Sequence, residues 1–178
     1  TRGVGTVMEK SAVVLISPCI LNAQFQAAPP VTNSHWGTPF IQLLKDYDVE
    51  LFCLPCTEAG FCGMKRKKHG LDYYQSLKGY PEYCESQVQN ILDRVLLLSG
   101  KGKEIIACLG VEHSPSCAVS YMYTHHGMVK RAGIFFDRLF TGMEKVDINL
   151  KWIGINRKYP QKAYTYLRTI LEQWKSEC

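Results

Sequence analysis

The chain has 178 residues, of which 46% are hydrophobic and 21% are charged, and its formal net charge is +5. These values are typical of a globular protein and exclude a chain that is disordered throughout. The length allows one domain with one sizeable core, so we expect residues 1–178 to form a single domain. A net charge this small does not by itself indicate binding to nucleic acid.

The amino-terminal region lacks the basic start, apolar centre and cleavage site of a signal peptide. No segment stays apolar over the roughly 20 residues that cross a membrane. We therefore expect a cytoplasmic protein, with residues 1–10 as a disordered leader and Met8 as a candidate native start. In that compartment, eight cysteines favour metal binding or catalysis over a framework of disulfides.

The first part of the chain alternates between predicted strands and a predicted helix. Residues 12–17 form a continuous apolar run, which predicts a parallel strand that is buried on both faces. Residues 22–33 are irregular and predict a loop, which we expect to cover the functional site. Residues 36–46 have the apolar spacing of a crossover helix, and residues 49–54 predict the second strand.

The middle of the chain contains a long irregular segment. Residues 59–81 are rich in Gly, Lys and Tyr, which predicts a long loop or lid with at most one short helix. Residues 82–98 have the pattern of an amphipathic helix that ends at a glycine. Residues 104–110 predict the third strand.

The last part continues the alternation. A third helix is predicted to start within residues 133–140, a fourth strand spans residues 148–155, and a last helix begins near Pro160. Such alternation predicts a single-domain, three-layer Rossmann-like α/β fold, with helices on both faces of a mainly parallel sheet of about four strands.

Three cysteines follow the ends of predicted strands: Cys19, Cys56 and Cys117. Because the carboxyl ends of parallel strands lie along one edge of a sheet, we expect the three thiols to meet in one crevice. Thiolates from separate loops suit a soft metal or an iron–sulfur cluster, and three of them would leave one iron open. The alternative is that free cysteines pack as small hydrophobic residues, as we expect for Cys53, Cys84 and Cys108.

Two other kinds of site compete with a cluster. Cys53 and Cys56 have the C-x-x-C spacing of a thioredoxin-like redox pair, although we expect Cys53 to be embedded in the second strand. A zinc site would combine cysteines with His113, His125 or His126, but no cysteine pair at zinc-ribbon spacing accompanies these histidines.

Three motifs at the strand ends resemble, in order and spacing, signatures of the thiouracil desulfidase family. They are Ile-Ser-Pro-Cys at residues 16–19, Pro-Cys-Thr-Glu at residues 55–58 and Glu-His-Ser-Pro-Ser-Cys at residues 112–117. The resemblance runs from about Val13 to Leu139, and Ser-Pro-Ser-Cys is its most specific part.

The resemblance implies a [4Fe-4S] cluster as cofactor, held by Cys19, Cys56 and Cys117. It also implies that the substrate is a thiolated pyrimidine or a similar small thiocarbonyl compound. The open iron would capture the sulfur, and oxygen would replace it by hydrolysis without net redox change. The departures from the family's pattern, which indicate a divergent member, are Pro18, Thr57, His113 and Ala118.

In such a desulfidase, a water attacks the carbon while a carboxylate transfers the proton. The candidates for this carboxylate are Glu58 and Glu112, and Ser114 and Ser116 are candidates for orienting the substrate or the water. The alternatives are that Glu58 caps the start of a helix and that the serines only serve the turn around Pro115.

Two other functions would use the same cluster. A sulfur transferase would supply sulfide for thiolation of a tRNA or a metabolite, and the basic residues 65–68 would then attract RNA. A solvated loop is the simpler interpretation of that basic run. A non-catalytic sensor or electron-relay module would favour a fourth thiolate, which Cys62 could supply. We favour a desulfidase that acts on a small molecule, with no membrane partner.

Overall fold

The computed structural model describes residues 10–28 and 35–178. The strands are Ser11–Ile16 (β1), Glu50–Cys53 (β2), Lys103–Val111 (β3), Met122–Thr124 (β4), Gly127–Val129 (β5) and Lys151–Ile155 (β6). The helices are Pro18–Leu21 (α1), Thr38–Asp46 (α2), Thr57–Cys62 (α3), Leu71–Ser76 (α4), Tyr80–Gly100 (α5), Ile134–Lys145 (α6) and Gln161–Glu177 (α7), and Ala23–Phe25 form a 3-10 turn.

Four strands form one sheet in the order β2-β1-β3-β6, and every neighbouring pair is parallel. Ile16 at the end of β1 lies opposite Cys53 of β2 and Leu109 of β3. Further along β3, Val111 lies opposite Ile155 at the end of β6. The segments that follow these strands therefore leave the sheet at the same edge.

The central strand β1 is buried on both faces. Its residues Val13 and Leu15 pack into a cluster with side chains of α5 and α6, and its residues Val14 and Ile16 pack on the opposite face with α2 and α7. Each such side chain contributes about 1.5–3 kcal/mol when it is fully buried. Helices thus cover both faces of the parallel sheet, which confirms the predicted single-domain Rossmann-like α/β fold.

The four predicted strands of the sheet and the four predicted helices are present, with ends that shift by a few residues. The largest shift of a strand is at β6, which begins at Lys151 rather than at residue 148. The N–H of Ile148 donates to the carbonyl of Met143 at 3.0 Å, and Asp147 has a left-handed φ of 59°. This segment therefore closes α6 instead of extending the strand.

The prediction of at most one short helix in residues 59–81 is wrong, because the segment contains most of α3, all of α4 and the first residues of α5. The N–H of Ala59 donates to Cys56 Sγ at 3.4 Å and so caps the start of α3. The helix ends at Gly63, whose φ of 90° favours glycine. Inward-facing buried side chains then hold α4 against the core.

The strands β4 and β5 form an antiparallel hairpin that the sequence analysis did not predict. Each strand has three residues, which is too short for a recognisable alternation of polar and apolar residues. His125 and His126 form the exposed turn. His125 Nδ1 lies 2.6 Å from Asp72 Oδ2, so this contact holds the hairpin beside α4.

Two of the sequence-based expectations fall partly outside the described residues. Residues 1–9 of the expected leader and residues 29–34 of the predicted loop are not described, so the leader stays a prediction. Among the residues that are described, no helix combines the length and the apolar character needed to cross a bilayer.

Candidate active site

A pocket lies at the carboxyl edge of the sheet and encloses about 860 Å³ of empty space, part of which is open to solvent. Its walls come from the segments that follow β1, β2, β3 and β6. Cys19, Cys56 and Cys117 all line it, together with Phe25 to Ala28 of the predicted loop. Strand order thus brings together three cysteines that are far apart in sequence.

The structure places most of the predicted site residues in this pocket. Besides the three cysteines, Glu58, Ser114 and Ser116 line it. Glu112 is not part of the described lining. Arg66, from the basic run at residues 65–68, and Arg157, which follows β6, also reach the pocket.

A hydrogen bond with Cys117 and, secondly, burial raise the pKa of the Cys19 thiol well above its usual value. The same bond lowers the pKa of Cys117 to about 7, and a hydrogen bond with Ser114 acts in the same direction. Cys117 is therefore the pocket thiol that ionises most readily near neutral pH.

Cys56 occupies the cap position of α3. Burial raises the pKa of its thiol to about 11. Two donors oppose this effect, because the N–H of Ala59 lies 3.4 Å from Sγ and Arg66 Nη2 lies 3.8 Å from it. Cys56 is thus protonated at neutral pH unless a bound metal displaces its proton.

The carboxylate of Glu58 is the buried polar centre of the pocket. Its Oε1 accepts hydrogen bonds from Ser116 Oγ at 2.7 Å and from Ser114 Oγ at 3.3 Å. Its Oε2 accepts from Nε and Nη2 of Arg66, both at 3.2 Å, and the Tyr74 hydroxyl donates to it at 3.5 Å. Because both oxygens have partners, the carboxylate is held in one orientation.

Ser114 and Ser116 connect this carboxylate to Cys117. Ser114 Oγ lies 3.1 Å from Ser116 Oγ and 3.3 Å from Cys117 Sγ. It also accepts the N–H of Cys117 at 3.2 Å, which is the role in turn formation that the sequence left as an alternative. A chain of hydrogen bonds therefore runs from Glu58 to a thiol of the pocket.

Arg66 departs from the interpretation of residues 65–68 as a solvated loop, which holds for the exposed Lys65, Lys67 and Lys68. The Arg66 side chain is only 5% exposed and forms an ion pair with Glu58 at 3.2 Å. Its Nη2 also donates to the carbonyl of Phe25 at 2.7 Å, which ties the covering loop to the pocket. No local pattern in the sequence distinguishes this arginine from the basic residues beside it.

The pocket carries more positive than negative charge. Lys68 and Arg157 line it together with Arg66, and among its described lining residues Glu58 is the only carboxylate. Arg157 Nη1 donates to Gln26 Oε1 at 2.7 Å, so a second arginine holds the covering loop. Such a pocket favours ligands that present hydrogen-bond acceptors or negative charge.

Glu112 has different surroundings from Glu58. Its two carboxylate oxygens accept the N–H of Ser120, both at 3.1 Å, and Oε2 accepts the N–H of Tyr121 at 2.8 Å. A side chain at Gly154 would collide with this carboxylate, so the glycine makes room for it. Glu112 thus anchors the turn between β3 and β4.

The other cysteines lie outside the pocket lining. Cys84 and Cys108 are fully buried, as expected. Cys53 is exposed, contrary to expectation, because it is the last residue of β2, which is an edge strand. The C-x-x-C pair is thus divided, with Cys56 in the pocket and Cys53 outside it, and Cys62 packs against the core.

The described residues contain no preformed site for a single metal ion. In the described part of the chain, no group of three or more His, Cys, Asp or Glu side chains could hold one metal ion. His113 stacks on Tyr123, and His125 and His126 are exposed, so the zinc alternative lacks a preformed site. A cluster presents a different iron to each thiolate, so three thiols around one pocket need not converge on one point.

Comparison with known proteins gives a distant similarity to a solved structure. No family model matches the sequence, and no curated protein matches it. Among solved structures, the chain is similar to one described as a [4Fe-4S]-dependent thiouracil desulfidase, TudS. The two share 17% sequence identity, the match covers 81% of this chain and 91% of that chain, and the TM-score is 0.48. A likeness of this degree does not assign the chain to a family.

Proposed function

We propose that the protein is an iron–sulfur-dependent desulfidase that removes sulfur from a thiolated pyrimidine or a similar small thiocarbonyl compound. The observation that carries the proposal is the convergence of Cys19, Cys56 and Cys117 in one pocket beside the buried carboxylate of Glu58. The resemblance of the three sequence motifs supplies the substrate class. In the reaction, the thiocarbonyl and water give a carbonyl and hydrogen sulfide, and no electrons are gained or lost.

The three thiolates would hold a [4Fe-4S] cluster with one iron open. When bound, such a cluster supplies a Lewis acid toward the thiocarbonyl sulfur. The pKa of Cys117, about 7, makes this thiol a ready ligand at neutral pH. The raised pKa values of Cys19 and Cys56 mean that cluster binding must displace their protons.

Glu58 is the proposed acceptor of the proton that the attacking water loses. A water bound to the Ser114 hydroxyl passes this proton through that hydroxyl to Oε1, which lies 3.3 Å from Ser114 Oγ. Arg66 holds Oε2 and Ser116 holds Oε1, so both fix the carboxylate for the transfer. We do not assign this role to Glu112, because backbone N–H groups occupy its carboxylate.

Anaerobic purification followed by visible absorption and by iron and acid-labile sulfide assays tests the cluster. We expect brown wild-type protein with matched iron and sulfide, and loss of both in Cys19→Ala, Cys56→Ala and Cys117→Ala. Cys53→Ala and Cys62→Ala are matched controls, because these thiols lie outside the pocket lining, and both should keep the cluster. Wild-type protein that stays colourless after reconstitution would overturn the proposal.

A second assay tests the reaction. The loaded protein is incubated anaerobically with 4-thiouracil and without a reductant, and hydrogen sulfide and uracil should form in equal amounts. A requirement for an added electron donor would contradict the hydrolysis. Loss of iron in Cys62→Ala would indicate ligation by four thiolates, which is typical of an electron relay and leaves no open iron.

A further inference from the structure

Buried polar atoms without hydrogen-bond partners are concentrated in the pocket. Among the described residues there are seven such atoms, and four of them belong to residues that line the pocket: Ser17 Oγ, Gln26 Nε2, Arg66 Nη1 and His113 Nδ1. Native proteins leave few buried polar groups unpaired, because each one loses its hydrogen bonds to water. A ligand bound in the pocket could supply the missing partners of these four atoms.

Arg66 is the most informative of the four. Its Nε and Nη2 have partners in Glu58 and in the carbonyl of Phe25, but its Nη1 has none although the side chain is 5% exposed. A guanidinium nitrogen only donates hydrogen bonds. The missing partner of Nη1 is therefore a hydrogen-bond acceptor on the ligand.

Gln26 supplies a second donor of the same kind. Arg157 can only donate, so the Gln26 atom that it contacts at 2.7 Å must be the amide oxygen. The amide nitrogen Nε2 is then the free end of the side chain, and it is buried without a partner. Arg66 donates to the carbonyl of Phe25, the residue before Gln26. The side chains that carry the two free donors, Arg66 and Gln26, are therefore linked through the backbone of the covering loop.

We infer that Arg66 and Gln26 form a recognition subsite for a carbonyl oxygen of the substrate ring, distinct from the sulfur that reacts. This inference rests on the proposed function and narrows its substrate class to rings that carry a second exocyclic acceptor. 4-Thiouracil has such an acceptor, whereas a simple thiocarbonyl compound lacks it. A site built to hydrogen-bond a group discriminates strongly against analogues without that group.

Binding of two sulfur-free compounds tests the subsite without turnover. Uracil carries two carbonyl groups, and pyridin-4-one carries only the one that stands in the place of the reacting sulfur. By anaerobic titration calorimetry, we expect the wild-type protein to bind uracil at least about tenfold more tightly than pyridin-4-one. Equal affinity for the two compounds, or no binding of uracil, would overturn the inference.

Two variants assign the discrimination to particular atoms. Gln26→Glu keeps an oxygen for Arg157 and replaces the Nε2 donor by an acceptor. Arg66→Lys keeps the positive charge beside Glu58 but removes Nη1 together with the Nη2 bond to the Phe25 carbonyl. Each should weaken uracil binding about tenfold, and Gln26→Glu, which leaves the contacts of Arg66 in place, should change pyridin-4-one binding less than about twofold. Gln24→Glu, the same substitution on an exposed side chain, is the matched control and should change neither.

The outcomes separate this inference from the proposed function. Equal losses for both compounds would mean that the variants change the shape of the pocket, and the inference would fail. Tighter binding of benzoate than of uracil would show a carboxylate subsite and would also overturn it. The titrations are equally informative on cluster-free protein, so failure to detect hydrogen sulfide would count against the desulfidase alone.

Discussion

Glu58 follows β2 and Glu112 follows β3, on either side of the central strand β1. Both side chains are almost fully buried. They differ in what surrounds their carboxylates. Glu58 is held by the hydroxyls of Ser114 and Ser116 and by the guanidinium of Arg66, and it lines the pocket. Glu112 is held by backbone N–H groups of the following turn.

The comparison separates two uses of a buried carboxylate. A carboxylate that accepts hydrogen bonds from backbone N–H groups holds a loop in place, so it contributes mainly to the stability of the fold. A carboxylate held by side-chain hydroxyls at a pocket wall can still take part in proton transfer. The reason is that a hydroxyl both donates and accepts hydrogen bonds, so it can pass a proton from a bound water to the carboxylate. The two regions should therefore respond differently to the same substitution.

The largest effect is expected for Glu58→Gln. Removing the proton acceptor should slow hydrogen sulfide release from 4-thiouracil about 100- to 10,000-fold, while iron content stays at the wild-type level. Sulfide release under anaerobic turnover and iron assays on the same sample measure this. Glu58→Asp, which keeps the charge opposite Arg66 but shortens the reach, is expected to lose at least about tenfold. Wild-type turnover in the Gln variant would remove Glu58 from the mechanism.

Glu112→Ala should instead lower the free energy of unfolding. The substitution leaves the N–H groups of Ser120 and Tyr121 without their partner, which costs about 2–4 kcal/mol. Urea denaturation measures this loss. Glu112→Gln keeps one acceptor oxygen, so it should cost less and change turnover per folded molecule by less than about threefold. A large turnover defect in a stably folded Glu112→Gln variant would contradict the division of roles.

Cys56, which follows β2, and Cys117, which follows β3, should also ionise at different pH values in the cluster-free protein. With a pKa of about 7, Cys117 is half ionised at pH 7 and almost fully ionised at pH 9. Its alkylation by iodoacetamide should therefore rise only about twofold over this interval and fall about tenfold per unit below pH 6. With a pKa of about 11, Cys56 should react about 100-fold faster at pH 9 than at pH 7.

Peptide mass spectrometry of partly alkylated protein separates these two cysteines. Cys19→Ala is a useful second sample, because it removes the hydrogen bond that lowers the pKa of Cys117. The midpoint for Cys117 should then move to higher pH. An unchanged midpoint would show that the contact between the two thiols does not set the ionisation of Cys117.

The sequence was sufficient to predict the elements whose apolar pattern is long. The continuous apolar run of β1 and the periodic inner face of α5 each define one type of structure. The β4–β5 hairpin was missed because its stability comes from distant contacts. His125 reaches Asp72, which is 53 residues away in sequence, and no local pattern reports such a pairing.

In the candidate site, too, local sequence patterns do not report contacts between distant residues. The three cysteines, Glu58 and the serines could be placed because they immediately follow strands of one parallel sheet. Position after a strand also suggested Glu112, which points to backbone N–H groups instead. Arg66 lies in a basic run whose composition favours exposure, and only its distant contact with the Phe25 carbonyl and its ion pair with Glu58 explain its burial.

The smallest effect is expected at the residues on either side of Arg66. Lys65 and Lys67 are exposed and do not line the pocket. Water and salt screen their charges, so these charges interact only weakly with a small molecule bound in the pocket. Combined Lys65→Ala and Lys67→Ala substitution should change turnover of 4-thiouracil less than about twofold and the free energy of unfolding by no more than about 0.5 kcal/mol.

This double variant also tests whether exposed positive charge serves a large anionic partner. The alternative of tRNA thiolation requires binding to RNA that weakens steeply with salt, and removal of two exposed lysines should then weaken it further. Filter binding of bulk tRNA at two salt concentrations, beside turnover of 4-thiouracil, distinguishes the cases. If RNA binding is absent in both proteins and turnover is unchanged, the exposed lysines have no part in function. The positive charge used in the reaction is then the buried guanidinium of Arg66, which lies beside Glu58 in the pocket. If RNA binding is strong and falls in the double variant, the exposed lysines take part in function, and a small molecule is not the whole substrate.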